Sequence, residues 1–188
     1  MIPYIKKFSE ISITDINSVG GKNASLGEMY SKLAMKGVPV PDGFAVTSFA
    51  FEEFLTHNGL HTPLHNLMSG LDRKDYSNLA ETGSKARELF MNAQMPVNLN
   101  LSVARAYKEL GGDKFIAVAV RSSATAEDLP QASFAGQHES YLNILVKKKY
   151  CMECKNVLPL CIQTVPSNTG KTMALYMIKF PCQSVYKK

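Results

Sequence analysis

A charged segment rich in hydroxyl groups is the strongest chemical signal in this 188-residue sequence. The run R-S-S-A-T-A-E-D-L-P begins at Arg121, directly after an apolar stretch typical of an interior strand. Arg121 offers the forked N–H donors that suit phosphate, and Ser122 and Ser123 can add hydroxyl donors. Backbone amides near Gly136 can complete an anion cradle. The alternative is an ion pair between Arg121 and the carboxylates that follow it, with the glycine only turning the chain.

A second phosphate-suited segment lies near the start of the chain, at Gly20-Gly21-Lys22. Two glycines let a backbone approach a ligand closely, and a lysine beside a helix N-terminus adds to the positive charge there. The spacing is not that of a Walker A loop, and a flexible loop with a solvated lysine is the alternative. Residues 1–146 contain 13 Lys and Arg against 15 Asp and Glu. Two such cationic segments in a slightly acidic stretch favour a phosphate site.

A histidine repeat could align metal ligands on one helix face. His57, His61 and His65 recur every four residues. Gly59 and Pro63 interrupt any helix that would carry all three, because proline lacks the backbone donor that a helix interior needs. We therefore expect a solvated loop here and not a metal site.

The tail of the chain differs from the rest in charge and in cysteine content. Residues 147–188 contain 8 Lys and Arg against 1 acidic residue, so the net charge of +5 arises there and does not indicate nucleic-acid binding. All of the cysteines also lie in this stretch, namely Cys151, Cys154, Cys161 and Cys182. The first two have the spacing of half a zinc site, but the other two supply no second close pair. Unpaired thiols are favoured over zinc.

The elements that must position these groups show both helical and strand patterns. Glycine, proline and hydroxyl residues mark their ends. In chain order they are a helix that ends at Gly37, a strand over 44–47, a helix that Ser48 can cap and that fades at Asn58, a helix at about 84–93, a helix from Pro96 to Gly111, and an interior strand over 115–120 that is apolar on both faces. We therefore expect α with β, not all of either.

Length and composition bound the architecture further. At 188 residues and 45% hydrophobic content, the chain can form one packed domain and not several. No apolar run reaches the roughly 18–20 residues of a membrane span, and residues 1–10 lack the apolar core of a secretory signal. We therefore expect a cytoplasmic protein that does not bind membranes.

Three ordered motifs carry a family resemblance. Residues 19–29 read V-G-G-K-N-A-S-L-G-E-M, residues 37–44 read G-V-P-V-P-D-G-F, and residues 120–137 contain V-R-S-S-A-T-A-E-D-L-P and S-F-A-G-Q. Together they resemble the N-terminal nucleotide-binding domain of the phosphoenolpyruvate synthase and pyruvate phosphate dikinase family. The resemblance covers about residues 4–146, and three motifs in the right order make it specific.

The resemblance implies an incomplete ATP-grasp-like lobe of class α/β (α+β). Such a domain passes the β-phosphoryl group of ATP to a histidine on a separate domain, which delivers it to pyruvate; the products are phosphoenolpyruvate, AMP and phosphate. Lys22 and Arg121 would then be the catalytic residues, because their charge stabilises the transferring group. The residues that match ATP-binding positions of the family are Lys22, Arg121, Ser122, Ser123, Gly136 and Gln137.

The same resemblance implies groups that this chain lacks. The Mg²⁺ ligands lie in a second ATP-binding lobe, and pyruvate is bound by further domains. His138 does not match the carrier histidine. Two other functions stay open, namely a rifampicin phosphotransferase, which shares the motifs, and a free-standing nucleotide-binding or zinc-binding module. The oligomeric state is not indicated.

The resemblance also suggests an origin for the tail. Lys147-Lys148-Lys149 can be encoded by a run of adenines, where a polymerase or a sequencer can slip. Suitable codons for residues 155–175, read two nucleotides further on, spell E-C-F-A-S-L-Y-T-D-R-A-I-K-Y-R-E-D-N-G-F, which looks like the family's continuation. We therefore expect residues 1–146 to be the N-terminal lobe of the ATP-binding domain and residues 147–188 to be an out-of-frame, poorly ordered tail.

Overall fold

The computed structural model describes residues 3–112, 114, 116–124, 140–145 and 173–179. These residues form an α+β fold of helices packed on a small antiparallel sheet. The strands are β1 (Ile5–Lys7), β2 (Gly43–Val46), β3 (Ala117–Ala124), β4 (Ser140–Leu145) and β5 (Met173–Lys179). The helices are α1 (Ile16–Val19), α2 (Gly21–Leu33), α3 (Ser48–His57), α4 (His61–Ser69), α5 (Leu79–Asn92) and α6 (Val97–Gly111), with short 3-10 turns at Phe8–Glu10, Ile13–Asp15 and Ala34–Lys36.

The sheet has the strand order β1-β2-β5-β3-β4, and each neighbouring pair is antiparallel. β5 lies between β2 and β3, although it comes last in the chain. Its register is regular on both sides, because Ala45 pairs with Tyr176 and Tyr176 pairs with Arg121. Paired residues across a sheet share a face, so this register also sets which residues of β2 and β3 lie on the same side.

The larger hydrophobic core covers one face of the sheet. Phe44, Val46, Val118 and Val120 lie there at alternate positions of β2 and β3, and each is almost completely buried. Side chains of α3, α5 and α6 complete this core, and Phe54 of α3 is one of them. The opposite face holds a smaller core, which contains Phe8, Ile11, Val19, Ala24 and Ala45. Helices α1 and α2 therefore lie on the side of the sheet opposite to α3, α5 and α6.

The interior strand that the sequence predicts is confirmed. Val118, Ala119 and Val120 are fully buried, and β3 has a partner strand on each side. The strand is longer than expected, since it continues through Arg121 to Ala124. Arg121 therefore lies within the strand and not in a segment that leaves its end.

The end of α2 also agrees with the sequence. The helix gives way to the turn Ala34–Lys36, and Gly37 follows with a left-handed φ of 80°. The predicted cap of α3 is wrong by one residue, because the Thr47 hydroxyl accepts the hydrogen bond from the Ala50 amide at 3.3 Å. Thr47 has the extended backbone that an N-cap requires, whereas Ser48 is already helical.

The prediction of a loop around the histidine repeat is wrong. Residues His61–Ser69 form α4, while His57 ends α3 and Gly59 turns the chain between them with a φ of 61°. Pro63 is tolerated because it stands in the first turn of α4, where a backbone N–H has no partner within the helix. The α5 helix likewise begins at Leu79, earlier than the predicted residue 84.

Residues 173–179 are the part of the predicted tail that the structure describes. This seven-residue run forms β5 and pairs with both β2 and β3. An apolar sequence such as M-A-L-Y-M-I-K can satisfy its backbone groups wherever two strand edges face each other. The rest of the predicted tail, residues 147–172 and 180–188, lies outside the described residues, and so do all four cysteines.

Candidate phosphate-binding site

The predicted glycine segment forms a junction between two helices. Gly20 ends α1 and precedes α2, with φ 81° and ψ 159°. This backbone conformation is essentially restricted to glycine. The Gly20 amide donates to the Ile16 carbonyl at 2.8 Å, and the Gly20 carbonyl accepts from the Ala24 amide at 3.0 Å. Gly20 therefore belongs to the hydrogen-bond ladders of both helices, which ties the direction of α2 to that of α1.

The N-terminus of α2 is suited to an anion. Gly20 has no side chain to accept from the first-turn N–H groups, which belong to Gly21, Lys22 and Asn23. The positive end of the dipole of this 13-residue helix is at the same point. Lys22 is the second residue of the helix and is half-buried. Backbone donors, helix dipole and ammonium group thus supply positive charge at one place.

A buried asparagine braces this junction, and sequence reasoning missed it. Asn23 is completely buried, and its Nδ2 donates to the Val19 carbonyl at 2.6 Å. Its Oδ1 has no hydrogen-bond partner among the described residues. A buried acceptor without a partner costs about 1–3 kcal/mol, which is comparable to what a hydrogen bond returns. The signal that could have found it is an asparagine directly after a Gly-Gly-Lys helix start, within reach of the carbonyl four residues earlier.

The register of the sheet places Arg121 on the same face as α1 and α2. Arg121 pairs with Tyr176, which pairs with Ala45, and Ala45 packs with Val19 and Ala24 in the smaller core. Arg121 is exposed, whereas Ala119 on the same face of β3 is fully buried. The buried part of this face therefore ends at Arg121 along β3.

Lys22 and Arg121 consequently belong to elements that meet on one side of the sheet. Arg121 lies two strand spacings from Ala45, which is about 10 Å. Helix α2 contacts β3 directly. Lys22 and Arg121 were predicted from two separate segments. They thus lie on two elements, α2 and β3, that are in contact on this side of the sheet.

The other predicted ATP-binding residues are placed only in part. Ser122 and Ser123 follow Arg121 within β3, where they occupy successive register positions opposite Leu175 and Ala174. Because positions alternate along a strand, Ser123 takes a position on the Arg121 face and Ser122 takes one on the opposite face. Gly136 and Gln137 lie outside the described residues.

Charged groups beside the junction are paired with each other. Lys6 donates to Asp15 at 2.6 Å, and the Ser12 amide donates to the same carboxylate at 2.9 Å. The hydrogen bond from Lys6, with a further one from the Ser12 amide, holds the pKa of Asp15 below its usual value. Farther along α2, the hydrogen bond from Lys32 lowers the pKa of Glu28. These carboxylates are therefore ionised and engaged at neutral pH.

The described residues do not fit a Mg²⁺ site. In the described part of the chain, no group of three or more His, Cys, Asp or Glu side chains could hold a metal ion. His61 instead contacts Glu52 at 3.2 Å on the surface.

None of the helices that the structure describes is long and apolar enough to cross a membrane.

A helix start rich in amide donors, together with an arginine on the same sheet face, is typical of a domain that binds phosphate groups. The comparison with protein families agrees. Residues 16–164 match the family described as "Pyruvate phosphate dikinase, AMP/ATP-binding domain". The match includes α1, α2 and β3 and continues past residue 146. The chain belongs to this family.

Curated relatives support the same conclusion. A phosphoenolpyruvate synthase of Pseudomonas aeruginosa is 48% identical over 145 residues, which cover 77% of this chain and 18% of the relative. A phosphoenolpyruvate synthase of Synechocystis is 49% identical over 144 residues, which cover 73% of this chain and 18% of the relative. The enzyme of the same name from Escherichia coli is 41% identical over 143 residues, covering 76% and 18%. The chain thus spans less than a fifth of the length of these relatives.

Proposed function

We propose that this chain is the ATP-binding part of a phosphoenolpyruvate synthase, an enzyme that converts ATP, pyruvate and water into phosphoenolpyruvate, AMP and phosphate. The fold of this part would be an ATP-grasp-like lobe. The observation that carries the proposal is that α2, the helix of Lys22, packs on the face of the sheet to which Arg121 belongs, in a chain of this family. The name that its relatives share supplies the reaction.

Lys22 and Arg121 have complementary roles in this proposal. The first-turn amides of α2 hold phosphate oxygens, and Lys22 adds a point charge beside them. Arg121 supplies a planar fork that can bind two oxygens at once. Ser122, Ser123 and the segment containing Gly136 and Gln137 would complete the contacts to ATP. Spreading positive charge over the transferring group is the main way in which proteins catalyse phosphoryl transfer.

Pyruvate and Mg²⁺ are assigned to other parts of the enzyme. The described residues offer no carboxylate cluster for the metal, and no residue of this chain is given a role toward it. The chain is therefore proposed to bind ATP and to lack synthase activity by itself. This division is consistent with its covering 18% of the length of its relatives.

The proposal is tested by calorimetric titration of the 188-residue chain with ATP. Lys22→Ala and Arg121→Ala should each weaken binding by about tenfold or more, since each removes a charge-assisted hydrogen bond worth about 1.5–3 kcal/mol. Lys36→Ala, at the other end of the α2 segment, and Arg105→Ala, on an exposed position of α6, are matched controls. Affinities that fall equally in the controls, or in none of the variants, would contradict the proposal.

We also propose that residues from about 148 onward are an out-of-frame translation of the enzyme's continuation. The change in charge and cysteine content at this point and the coherent back-translation support this. Strand β5 is compatible with it, because sheet pairing uses backbone groups that any apolar strand provides. Resequencing the gene and its transcript across the codons for Lys147 to Lys149 is the test. An unchanged sequence with no open frame into a second lobe would refute this origin.

A further inference from the structure

The junction between α1 and α2 is held by one side chain in addition to its backbone bonds. Asn23 reaches back over a full turn, so that its Nδ2 contacts the carbonyl of Val19, the last residue of α1. Gly20 lies between them with a backbone conformation that few residues share. The side-chain amide of Asn23 thus links α2 to the end of α1 by a hydrogen bond that spans Gly20.

The amide of Asn23 serves the junction between α1 and α2 more than it serves the core. Asn23 is completely buried beside the smaller core, and its Oδ1 has no partner among the described residues. The cost of burying that oxygen offsets what the Nδ2 bond returns. An apolar side chain of the same size would avoid this cost but would leave the Val19 carbonyl without the donor that Nδ2 supplies. What only a donor at position 23 provides is a fixed distance between the end of α1 and the first turn of α2.

We propose that Asn23 is a positioning residue, which holds the Gly20 junction in the geometry that presents Lys22 and the first-turn amides to phosphate. The inference rests on the proposed function of this site. Lys22 precedes Asn23 directly in the same helical turn, so a rotation of this turn moves the ammonium group with it. A displacement of about 1 Å can weaken a phosphate contact by orders of magnitude in a preorganised site.

Asn58 provides a matched control elsewhere in the fold. Its Nδ2 also donates to the carbonyl four residues earlier, that of Phe54, at 2.8 Å. It makes two further hydrogen bonds with the backbone of Gln94, at 2.9 and 2.7 Å. Asn58 follows α3, which packs on the opposite face of the sheet. Removing it costs at least as many hydrogen bonds without touching the junction.

The decisive comparison is ATP binding by Asn23→Ala, Asn23→Ser and Asn58→Ala, each with its thermal unfolding measured in parallel. Asn23→Ala should weaken ATP binding by about tenfold or more, with a loss of thermal stability no larger than that of Asn58→Ala. Asn23→Ser should keep more of the affinity than Asn23→Ala, because its hydroxyl is also a hydrogen-bond donor on the same side of α2. If Asn23→Ala does not fold, Asn23→Leu, which fills the same space without a donor, replaces it.

Equal affinities of the wild type and Asn23→Ala would overturn the inference and leave the proposed function standing. A wild-type chain that does not bind ATP would instead overturn the proposed function. Amide hydrogen exchange without nucleotide then decides the bracing role by itself. The amides of Gly20 and Ala24 should exchange about tenfold faster in Asn23→Ala than in the wild type or Asn58→Ala, and unchanged protection would refute it.

Discussion

The close packing of α2 against the 3-10 turn Phe8–Glu10 and the following Ile11 leads to a specific prediction about Gly27. This glycine lies on the buried side of the helix, against Ile11. A Cβ added at position 27 would lie 2.5 Å from Ile11 Cβ, 2.6 Å from Ile11 Cγ2 and 2.6 Å from the Ile11 carbonyl oxygen. Ordinary contacts between carbon atoms are about 3.5–4.0 Å. The substitution Gly27→Ala therefore forces α2 and this turn apart by about 1 Å.

Two opposing effects set the magnitude. Replacing glycine by alanine inside a helix stabilises the folded state by about 1 kcal/mol, because alanine loses less backbone entropy on folding. Overpacking a close contact costs about 1–3 kcal/mol, and the upper end applies here because a backbone oxygen cannot rotate away. We expect a net loss of about 1–2 kcal/mol in the free energy of unfolding. For a chain of this size that lowers Tm by about 2–8 °C.

Gly83 in α5 is the matched control. A Cβ at this position meets only Arg87 Nη1, at 3.3 Å, which is the far end of a flexible side chain. Gly83→Ala should therefore stabilise the chain by about 0.5–1 kcal/mol. Thermal and urea unfolding followed by far-UV circular dichroism measures both variants. The reasoning is refuted if Gly27→Ala stabilises the chain as Gly83→Ala does.

Three further substitutions test the environment of the site. Asp15→Asn should lower the free energy of unfolding at pH 7 by about 1–2 kcal/mol, because it removes a charge-assisted bond from Lys6. Since the folded-state pKa of Asp15 is lowered, the wild type should lose this advantage as the pH falls below the usual value of 3.8, so unfolding curves of the two proteins should converge in acid. Gly20→Ala should cost about 1–3 kcal/mol and weaken ATP binding, as urea unfolding and calorimetry can show. Phe54→Ala removes a ring stacked on Phe90 at 6.2 Å between centroids. It should lower the free energy of unfolding in urea by about 3–5 kcal/mol and leave the ATP affinity of the folded chain unchanged. A changed affinity would contradict the placement of the site on the opposite face of the sheet.

Local patterns predicted those parts of the fold that local physics determines. The continuous apolar run before Arg121 indicated a strand covered on both faces, and Val118 to Val120 are fully buried. Gly37 was predicted to end a helix, and its positive φ shows why glycine is suited to that position. The Gly20-Gly21-Lys22 segment was predicted to start a helix, and α2 begins there.

One helix and several tertiary contacts were not predicted from the sequence. The helix α4 forms in spite of Pro63, because this proline stands in the first turn. The close approach of Ile11 to Gly27 and the brace from Asn23 to Val19 depend on how elements pack, and no periodicity encodes them. The prediction that Lys22 and Arg121 bind ATP stays a prediction, although α2, which carries Lys22, packs on the sheet face to which Arg121 belongs.

The strand order has a consequence for the edges inside the sheet. Strands β2 and β3 are not neighbours, so in the part of the chain that the structure describes the sheet consists of two ribbons, β1-β2 and β3-β4, with β5 between them. Without a strand at that place, each ribbon exposes a row of unpaired backbone groups to other chains. Strand β5 therefore covers one edge of each ribbon at once. A variant that cannot form β5 should aggregate through these two edges, although the larger core still packs on both β2 and β3.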